Sequence, residues 1–505
     1  MFFHRRVVTM LFLGFSAGLP YLLIFGTLSI WLREAGFEKS VVTFFALAGL
    51  GYSFKFVWAP LVDQLPLPLL TRLLGRRRAW MLLAQIAIAC AILLMASIDP
   101  QVGGSGLTMM ALAAVILGFS SATQDIVIDA YRIESAEIEL QAMMSATYIA
   151  GYRVGWLVAG AGSLFLADWF GTDLGAYNYQ AWQWTYCLMA VAMLVGVVTT
   201  LVIKEPENPN YANYLESNQD YLRFVLLFAV AVGGLIGTYN LSSEIAELWK
   251  AQLTDLVANR VLAAFVIETL RLSLALLSAW LMAFLLVKAR LVRYSMVENT
   301  YLAPIRDFFS RYGWSLALIL LALIGLYRIS DIVLGVIANL FYQDMGFSKS
   351  EIASVAKTFG LLMTIAGGFI GGLLALRFGV IRILLLGAVL SAATNLLFMI
   401  LASVGYDIVW LYLVISADNL SAGIASAAFV AFLSSLTNVS FTAMQYAIFS
   451  SLMTLIPKML GGYSGSIVDS IGYPSFFLVT AILGIPVLLL ILIAARRFEI
   501  RDRPA

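Results

Sequence analysis

Fourteen apolar runs, each long enough to cross a bilayer, dominate this 505-residue chain. They fall near 7–32, 40–62, 79–98, 107–131, 140–167, 182–203, 221–245, 259–287, 313–340, 350–376, 380–404, 407–435, 440–468 and 472–495. A helix crosses the hydrocarbon layer with about 20 apolar residues. Only 12% of the residues are charged, against roughly 25% in a soluble domain. The chain therefore reads as an all-α polytopic membrane protein of 14 helices.

A net charge of +2 says little about partners. The placement of Lys and Arg says more. With the N-terminus taken as cytoplasmic, the alternate loops and both tails hold most of them, including Arg76–Arg78 and Arg496–Arg497. Only Arg33, Lys39, Lys250, Arg260 and Lys349 fall on the other side. This is the positive-inside pattern with both termini in the cytoplasm. The start "MFFHRRVVTM" has the charge of a signal peptide, but the apolar stretch behind it is too long and no cleavage site is evident. It reads as an uncleaved first helix. Cys90 and Cys187 sit inside apolar runs and read as small core residues, not as a disulfide or metal site. No metal, no cofactor and no nucleic acid is expected; the lipid bilayer is the partner that composition implies.

The polar stretch "KEPENPNYANYLESNQD" (204–220) reads as a linker, and the basic 288–312 segment as an amphipathic stretch along the inner surface. Between them lies a transmembrane hairpin, 221–287. This divides the chain into an N-terminal six-helix bundle (1–203), a linker with the inserted hairpin (204–312) and a C-terminal six-helix bundle (313–505). Two halves with a long central connection suit an internal repeat. Asp63 with Gly75–Arg78 resembles the loop motif between helices 2 and 3 of the major facilitator superfamily. Clustered glycines mark close helix packing in the fifth (Gly151, Gly155), eighth (Gly367, Gly371) and eleventh (Gly461, Gly465) spans of the twelve outside the insert. In that superfamily these helices meet across the two halves.

Ionisable groups inside a membrane are costly and act by default. In "SSATQDIVIDAYRIE" (120–134), Asp125 and Asp129 share a helix face. By helical rise, Asp125 lies about 9 Å to the cytoplasmic side of its span's middle and Lys55 about 6 Å to the same side. Asp125 with Lys55 is the candidate proton-coupling pair; a permanent ion pair that fixes helix packing is the alternative. Asp129 lies about 15 Å from the midplane. It reads as a cytoplasmic gate latch with Arg132, Asp63 and Arg76, Arg77 and Arg78, and as a secondary coupling candidate. Arg153, Arg328, Asp331, Lys357 and Asp418 lie inside other spans and are candidates for substrate contact, as are the buried amides Asn419 and Gln445; these and the amide of Asn395 must find partners, which other helices can supply. Tyr52, Tyr148, Tyr152, Trp156 and Tyr327 offer aromatic faces suited to a sugar-containing ligand. Gly14, Gly18 and Pro20 predict an interrupted first helix. Glu268 and Arg271, at i and i+3, are expected to pair with each other.

The tract Ala-x-Gln-Asp-Ile-Val-x-Asp-Ala resembles the fourth helix of the AmpG muropeptide permease family. "LGFSAGLP", "FKFVWAPLVD", "GYRVGWLVAG", "APIRDFF" and "SAAFVAFLSSLTNVSFTAMQYAIFSSL" resemble that family too, and only 204–300 falls outside the likeness. The resemblance implies the major-facilitator fold and no catalytic residues. It implies import of a disaccharide-peptide, GlcNAc-anhydroMurNAc-peptide, from periplasm to cytoplasm across the bacterial inner membrane, driven by the proton gradient. It also places Gln124, Asp125, Asp129, Lys55, Arg153 and Lys357 on motif positions. A monomer is expected. Tyr131–Arg132 departs from the Trp-Lys of the best-known members. A carrier of another solute, such as acetyl-coenzyme A, is the nearest rival. A polytopic transferase would need clustered acids or histidines on a surface loop, and the single histidine, His4, is terminal.

Overall fold

The computed structural model describes residues 4–135, 138–206, 218–257, 260–292, 294, 298, 302–438 and 442–497. Among the described residues, 13 helices are long and apolar enough to cross a membrane. With two others they run in chain order as α1 Arg5–Glu34, α2 Lys39–Ala59, α3 Arg76–Ala96, α4 Gly103–Ser135, α5 Thr147–Trp169, α6 Tyr179–Val202, α7 Tyr221–Leu241, α8 Ser243–Val257, α9 Leu262–Lys288, α10 Ala303–Asp344, α11 Lys349–Ala375, α12 Val380–Val404, α13 Ile408–Leu436, α14 Thr442–Gly461 and α15 Ser464–Arg496. The count is thirteen rather than fourteen because α14 is less apolar: Gln445, Pro457 and Lys458 interrupt it. The insert is also more than a hairpin, since the short helix α8 stands between α7 and α9.

The helices break where their residues require it. Pro20 has no N–H to donate within α1, and a π-turn follows at Leu23–Thr27. Two further π-turns interrupt α5 at Val158–Gly162 and α11 at Ile352–Phe359. Gly313 in α10 (φ 69°) and Gly472 in α15 (φ 75°) take left-handed conformations that end one helical stretch and start the next. The Gly313 break separates the basic lead Ala303–Tyr312 from the membrane helix proper. Most of 293–301, in the expected amphipathic stretch, lies outside the described residues. At the start of α11, Ser348 and Glu351 form a capping box.

The chain forms two compact units. One holds Met1–Lys55, Leu67–Asn208 and Tyr312–Ala505, and with it the helices of both six-helix bundles. Glycines set the closest approaches within it. A Cβ on Gly151 would sit 1.9 Å from the Leu11 carbonyl oxygen, and one on Gly14 would sit 2.1 Å from that of Tyr148. These glycines bind α1 to α5 inside one bundle. Gly367 packs on Leu420, joining α11 to α13 inside the other. Of the three glycine clusters expected to join the halves, the eleventh-span cluster does so most tightly, at Gly465 on the Lys39 backbone. Glycine permits close approach, and each bundle uses it for its own packing as well.

The second unit holds Phe56–Pro66 and Pro209–Arg311. Leu227 and Val292 are buried there among Leu61, Leu65, Tyr221, Ala283, Leu286 and Val287. The expected Glu268–Arg271 pair forms at 3.1 Å. Lys250 of α8 joins it at 2.6 Å, and Tyr239 donates to Glu268 at 2.7 Å. These contacts tie α7, α8 and α9 together at one end. The side chain of Asp63 lies outside the described residues.

Candidate functional site

A shelf of aromatic rings lies between α1, α2 and α5. Tyr21 stacks on Trp156 at 5.2 Å, Tyr52 meets Tyr21 edge-on at 5.8 Å, and Phe25 lies 4.6 Å from Tyr21. Tyr152 and Tyr148 extend the shelf, with Tyr152 5.5 Å from Trp156 and 6.1 Å from Tyr148. A cation stands at each end. The Arg153 guanidinium lies 4.7 Å from the Trp156 ring. The Lys458 ammonium, on α14 of the other bundle, lies 5.1 Å from Phe25 and 5.2 Å from Tyr52, and donates to the Gly49 carbonyl at 3.1 Å. A Cβ on Gly49 would fall 1.7 Å from the tip of the Phe25 ring, so a side chain here displaces that ring.

Several buried polar atoms here and on the neighbouring α4 make no well-formed hydrogen bond: the Tyr52 hydroxyl, which has Ser121 beside it, the Trp156 indole N–H, which has Tyr152 beside it, and on α4 both amide atoms of Gln124 and Asp125 Oδ1. Asp125 faces the phenols of Tyr52, Tyr148 and Tyr152, and Lys55 and Asp129 act on it electrostatically. The expected Asp125–Lys55 neighbourhood is therefore present, although no ion pair closes between them in this conformation. Lys458 is only 4% exposed, and no carboxylate among the described residues pairs with it. Desolvating such an ion costs several kcal/mol. A desolvated cation–π contact returns about 2 kcal/mol.

Other expected site residues divide into two groups. Lys357 donates to Asn339 Oδ1 at 2.6 Å, and Asn339 donates in turn to Gly26 O and Ser29 Oγ of α1, both at 3.3 Å. Thr27 donates to Ala159 O at 2.7 Å. The three π-turns thus meet around Lys357, at a junction of the two bundles. Arg328 lies 3.0 Å from Asp331 and donates to Ser426. Asp418 accepts from Thr394 at 3.3 Å. The second group is occupied in helix packing. Tyr327 stacks on Phe429 at 4.4 Å and donates to Leu384 O. Asn419 links α13 to Thr364 of α11, and Gln445 accepts from the Asn438 backbone.

The end of the bundles that carries residues 31–40 is closed by ions. Glu34 and Lys349 pair at 2.7 Å with their side chains 0% and 1% exposed. Thr172 and Trp182 each donate to the second Glu34 oxygen at 2.9 Å, and Lys349 also donates to the Thr172 carbonyl. Alongside, Asp344 receives Arg33 at 2.7 Å, Lys39 at 3.2 Å and the Tyr473 hydroxyl at 2.7 Å. The two turns are repeats: "EAGFEKS" (34–40) in one bundle and "DMGFSKS" (344–350) in the other. The acid of each turn takes the lysine of the other. Among the described residues, the ion pairs that join the bundles all lie at this end. In the sequence Arg33, Lys39 and Lys349 read only as topology markers; the repeated turn is the signal that pairs them.

At the opposite end, Asp129 pairs with Arg132 at 3.2 Å, as expected. The arginine triplet does not join that pair. Arg76 and Arg77 reach Glu134 at 3.4 and 2.5 Å, and Arg78 donates to the carbonyls of Thr200 and Leu201. Glu205 accepts from the backbone N–H groups of Arg77 and Arg78 at 2.7 and 3.0 Å. It places a carboxylate on the positive end of α3. Glu134 ends the 120–134 tract and Glu205 lies in the linker, and nothing local in the sequence marks either as a partner of the arginines.

Two helical bundles, a polar aromatic site between them and an ionic closure at one end define a membrane transporter rather than an enzyme. The family model "Major Facilitator Superfamily" matches residues 10–338 and 320–505. The anhydromuropeptide permease of Escherichia coli K12 is 30% identical over 501 residues, covering 99% of this chain and 82% of that protein. The putative transporter AmpG 4 of Rickettsia conorii is 29% identical over 97% of each chain. Among solved structures, a POT family transporter in complex with 5-aminolevulinic acid has a TM-score of 0.68 at 13% identity, covering 99% of this chain and 98% of that one. A D-xylose–proton symporter has a TM-score of 0.61 at 12% identity, covering 96% of each. The chain belongs to the major facilitator superfamily and, within it, to the AmpG family.

Proposed function

We propose that the protein imports anhydromuropeptides, GlcNAc-anhydroMurNAc-peptides released from the cell wall, across the bacterial inner membrane in symport with protons. The observation that carries this reading is the 30% identity to a permease of that name over 99% of the chain. The aromatic shelf suits it, because pyranose rings stack on faces such as Trp156 and Tyr21. The Gln124 amide and the Tyr52, Tyr148 and Tyr152 hydroxyls supply partners for sugar hydroxyls. Arg153, Arg328 and Lys357 meet carboxylates of the peptide stem, with Asp331 and Asp418 setting their local charge.

The positive-inside rule puts the end bearing Arg5, Arg6 and Arg76–Arg78 in the cytoplasm. The ionic closure is then periplasmic and the conformation faces inward. Protonation of Asp125 from the periplasm removes its attraction for Lys55 and admits substrate; release of that proton to the cytoplasm restores it. When the periplasmic end is open, Asp129 exchanges its own-helix partner Arg132 for a basic group across the cytoplasmic end. One chain holds the complete site, so the transporter acts as a monomer.

Uptake of labelled anhydromuropeptide into proteoliposomes tests the reading, with and without an imposed proton gradient and with acetyl-coenzyme A as competitor. Gradient-dependent accumulation that acetyl-coenzyme A does not suppress is the expected result. Uptake indifferent to the gradient, or abolished by acetyl-coenzyme A, would overturn it.

A further inference from the structure

We propose that Lys458 binds a carboxylate of the substrate's peptide stem. The inference rests on the function proposed above and adds to it a specificity-determining residue that neither the motifs nor the relatives single out. Four observations carry it. First, Lys458 stands at one end of the aromatic shelf and Arg153 at the other, linked ring to ring through Tyr52, Tyr21 and Trp156 at separations of 4.7–5.8 Å. A ligand whose sugars lie on the rings brings its charged end to one of these cations.

Second, the ammonium is buried, yet its partners are the Gly49 carbonyl and two ring faces. These are weak acceptors for a full charge, and an incoming carboxylate replaces them with a charge-assisted bond. Third, Lys55 lies close enough to act on both Lys458 and Asp125. Lys55 thus links the carboxylate of Asp125, which also feels Asp129, to the Lys458 ammonium. Protonation of Asp125 removes one negative charge from beside Lys55, and an anionic ligand is drawn in together with the proton. Fourth, the hydroxyls of Tyr52 and Tyr152 and the Trp156 N–H line the same shelf, and their close neighbours Ser121 and Trp156 leave them capacity for a ligand.

Lys458 also reaches from one bundle to the other, since Gly49, Phe25 and Tyr52 belong to α1 and α2. A carboxylate that draws the ammonium away from this cage therefore loosens a contact between the bundles. Loading and bundle movement are coupled through this one side chain.

The test compares uptake of one anhydromuropeptide as the free acid and with its stem carboxylates converted to amides. Wild type is expected to take up the acid with the lower KM. In Lys458→Met the KM for the acid rises by about 10–100-fold, the loss of one charge-assisted hydrogen bond, while the KM for the amide is unchanged. Lys458→Gln is read the same way if the Met variant is not recovered folded. An acid-to-amide KM ratio that stays at the wild-type value overturns the proposal, as does an equal loss for both forms. If wild type transports neither form, the muropeptide reading itself has failed and this inference falls with it; that outcome is distinct from wild-type uptake with an unaltered ratio in the variant.

Discussion

Replacing Lys349 with methionine removes one partner from the buried pair that closes one end of the transporter. Glu34 is left with the Thr172 hydroxyl and the Trp182 indole N–H, and no cation within its buried surroundings. Breaking a buried pair from one side costs about 3–5 kcal/mol. The cost falls on the closed arrangement alone, because Glu34 meets water once the bundles part. At 1.4 kcal/mol per decade, the ratio of closed to open molecules shifts by about 100- to 4,000-fold. Spin labels placed on the two bundles at this end, in a background without Cys90 and Cys187, report the separation directly. Wild type should show mainly the short distance and Lys349→Met mainly the long one. Adding Glu34→Gln should move the population back, since a buried pair replaced on both sides is often close to neutral. An unchanged distance distribution in Lys349→Met would refute the reasoning, as would a double variant as open as the single one.

Asp125→Asn should abolish gradient-driven accumulation while leaving exchange of labelled for unlabelled substrate across proteoliposomes; retained accumulation would show that the coupling proton binds elsewhere. Two glycine substitutions separate closure from packing. Gly465→Ala puts a Cβ 2.2 Å from the Lys39 carbonyl oxygen and should open the ion-closed end in the same label assay. Gly151→Ala acts inside one bundle, 1.9 Å from the Leu11 oxygen, and should cost about 1–3 kcal/mol of stability, read as a lower Tm in detergent. Tyr177 lies in the α5–α6 connection and donates to Asp99 at 2.9 Å. Burial above all, and then the Asp99 carboxylate, hold its phenol above the ordinary range, against the Trp31 indole that donates to it. A raised phenol contributes stability that is complete below its unfolded pKa of about 10 and lost as pH rises through the folded value. Tyr177→Phe should therefore lower Tm equally at about pH 6 and about pH 8, both below that range.

The helices were legible because apolar length is a local property, and so were contacts within one helix, such as Asp129–Arg132 and Glu268–Arg271. Pro20 announced the interruption of α1, although not that a π-turn would absorb it. Long-range partners were not legible in the same way. Glu205 meets the start of α3 across 128 residues of chain, and the pairing of Glu34 with Lys349 spans 315. Periodicity says nothing about which loop an acid will reach. Arg33, Lys39 and Lys349 read one by one as markers of a membrane side, and nothing local shows that they converge. The rings around Lys458 come from α1 and α2, which only the folded chain brings to it.

The repeated turns have a further consequence. Each offers an acid and a lysine to its counterpart, so the contact is self-complementary, like the two-fold face of a homodimer carried in a single chain. A rotation that draws Glu34 away from Lys349 also draws Asp344 away from Lys39. Neither pair opens while the other stays intact, and partial closure satisfies neither. The closed end therefore behaves as a bistable element rather than a graded one, with arithmetic that counts in twos.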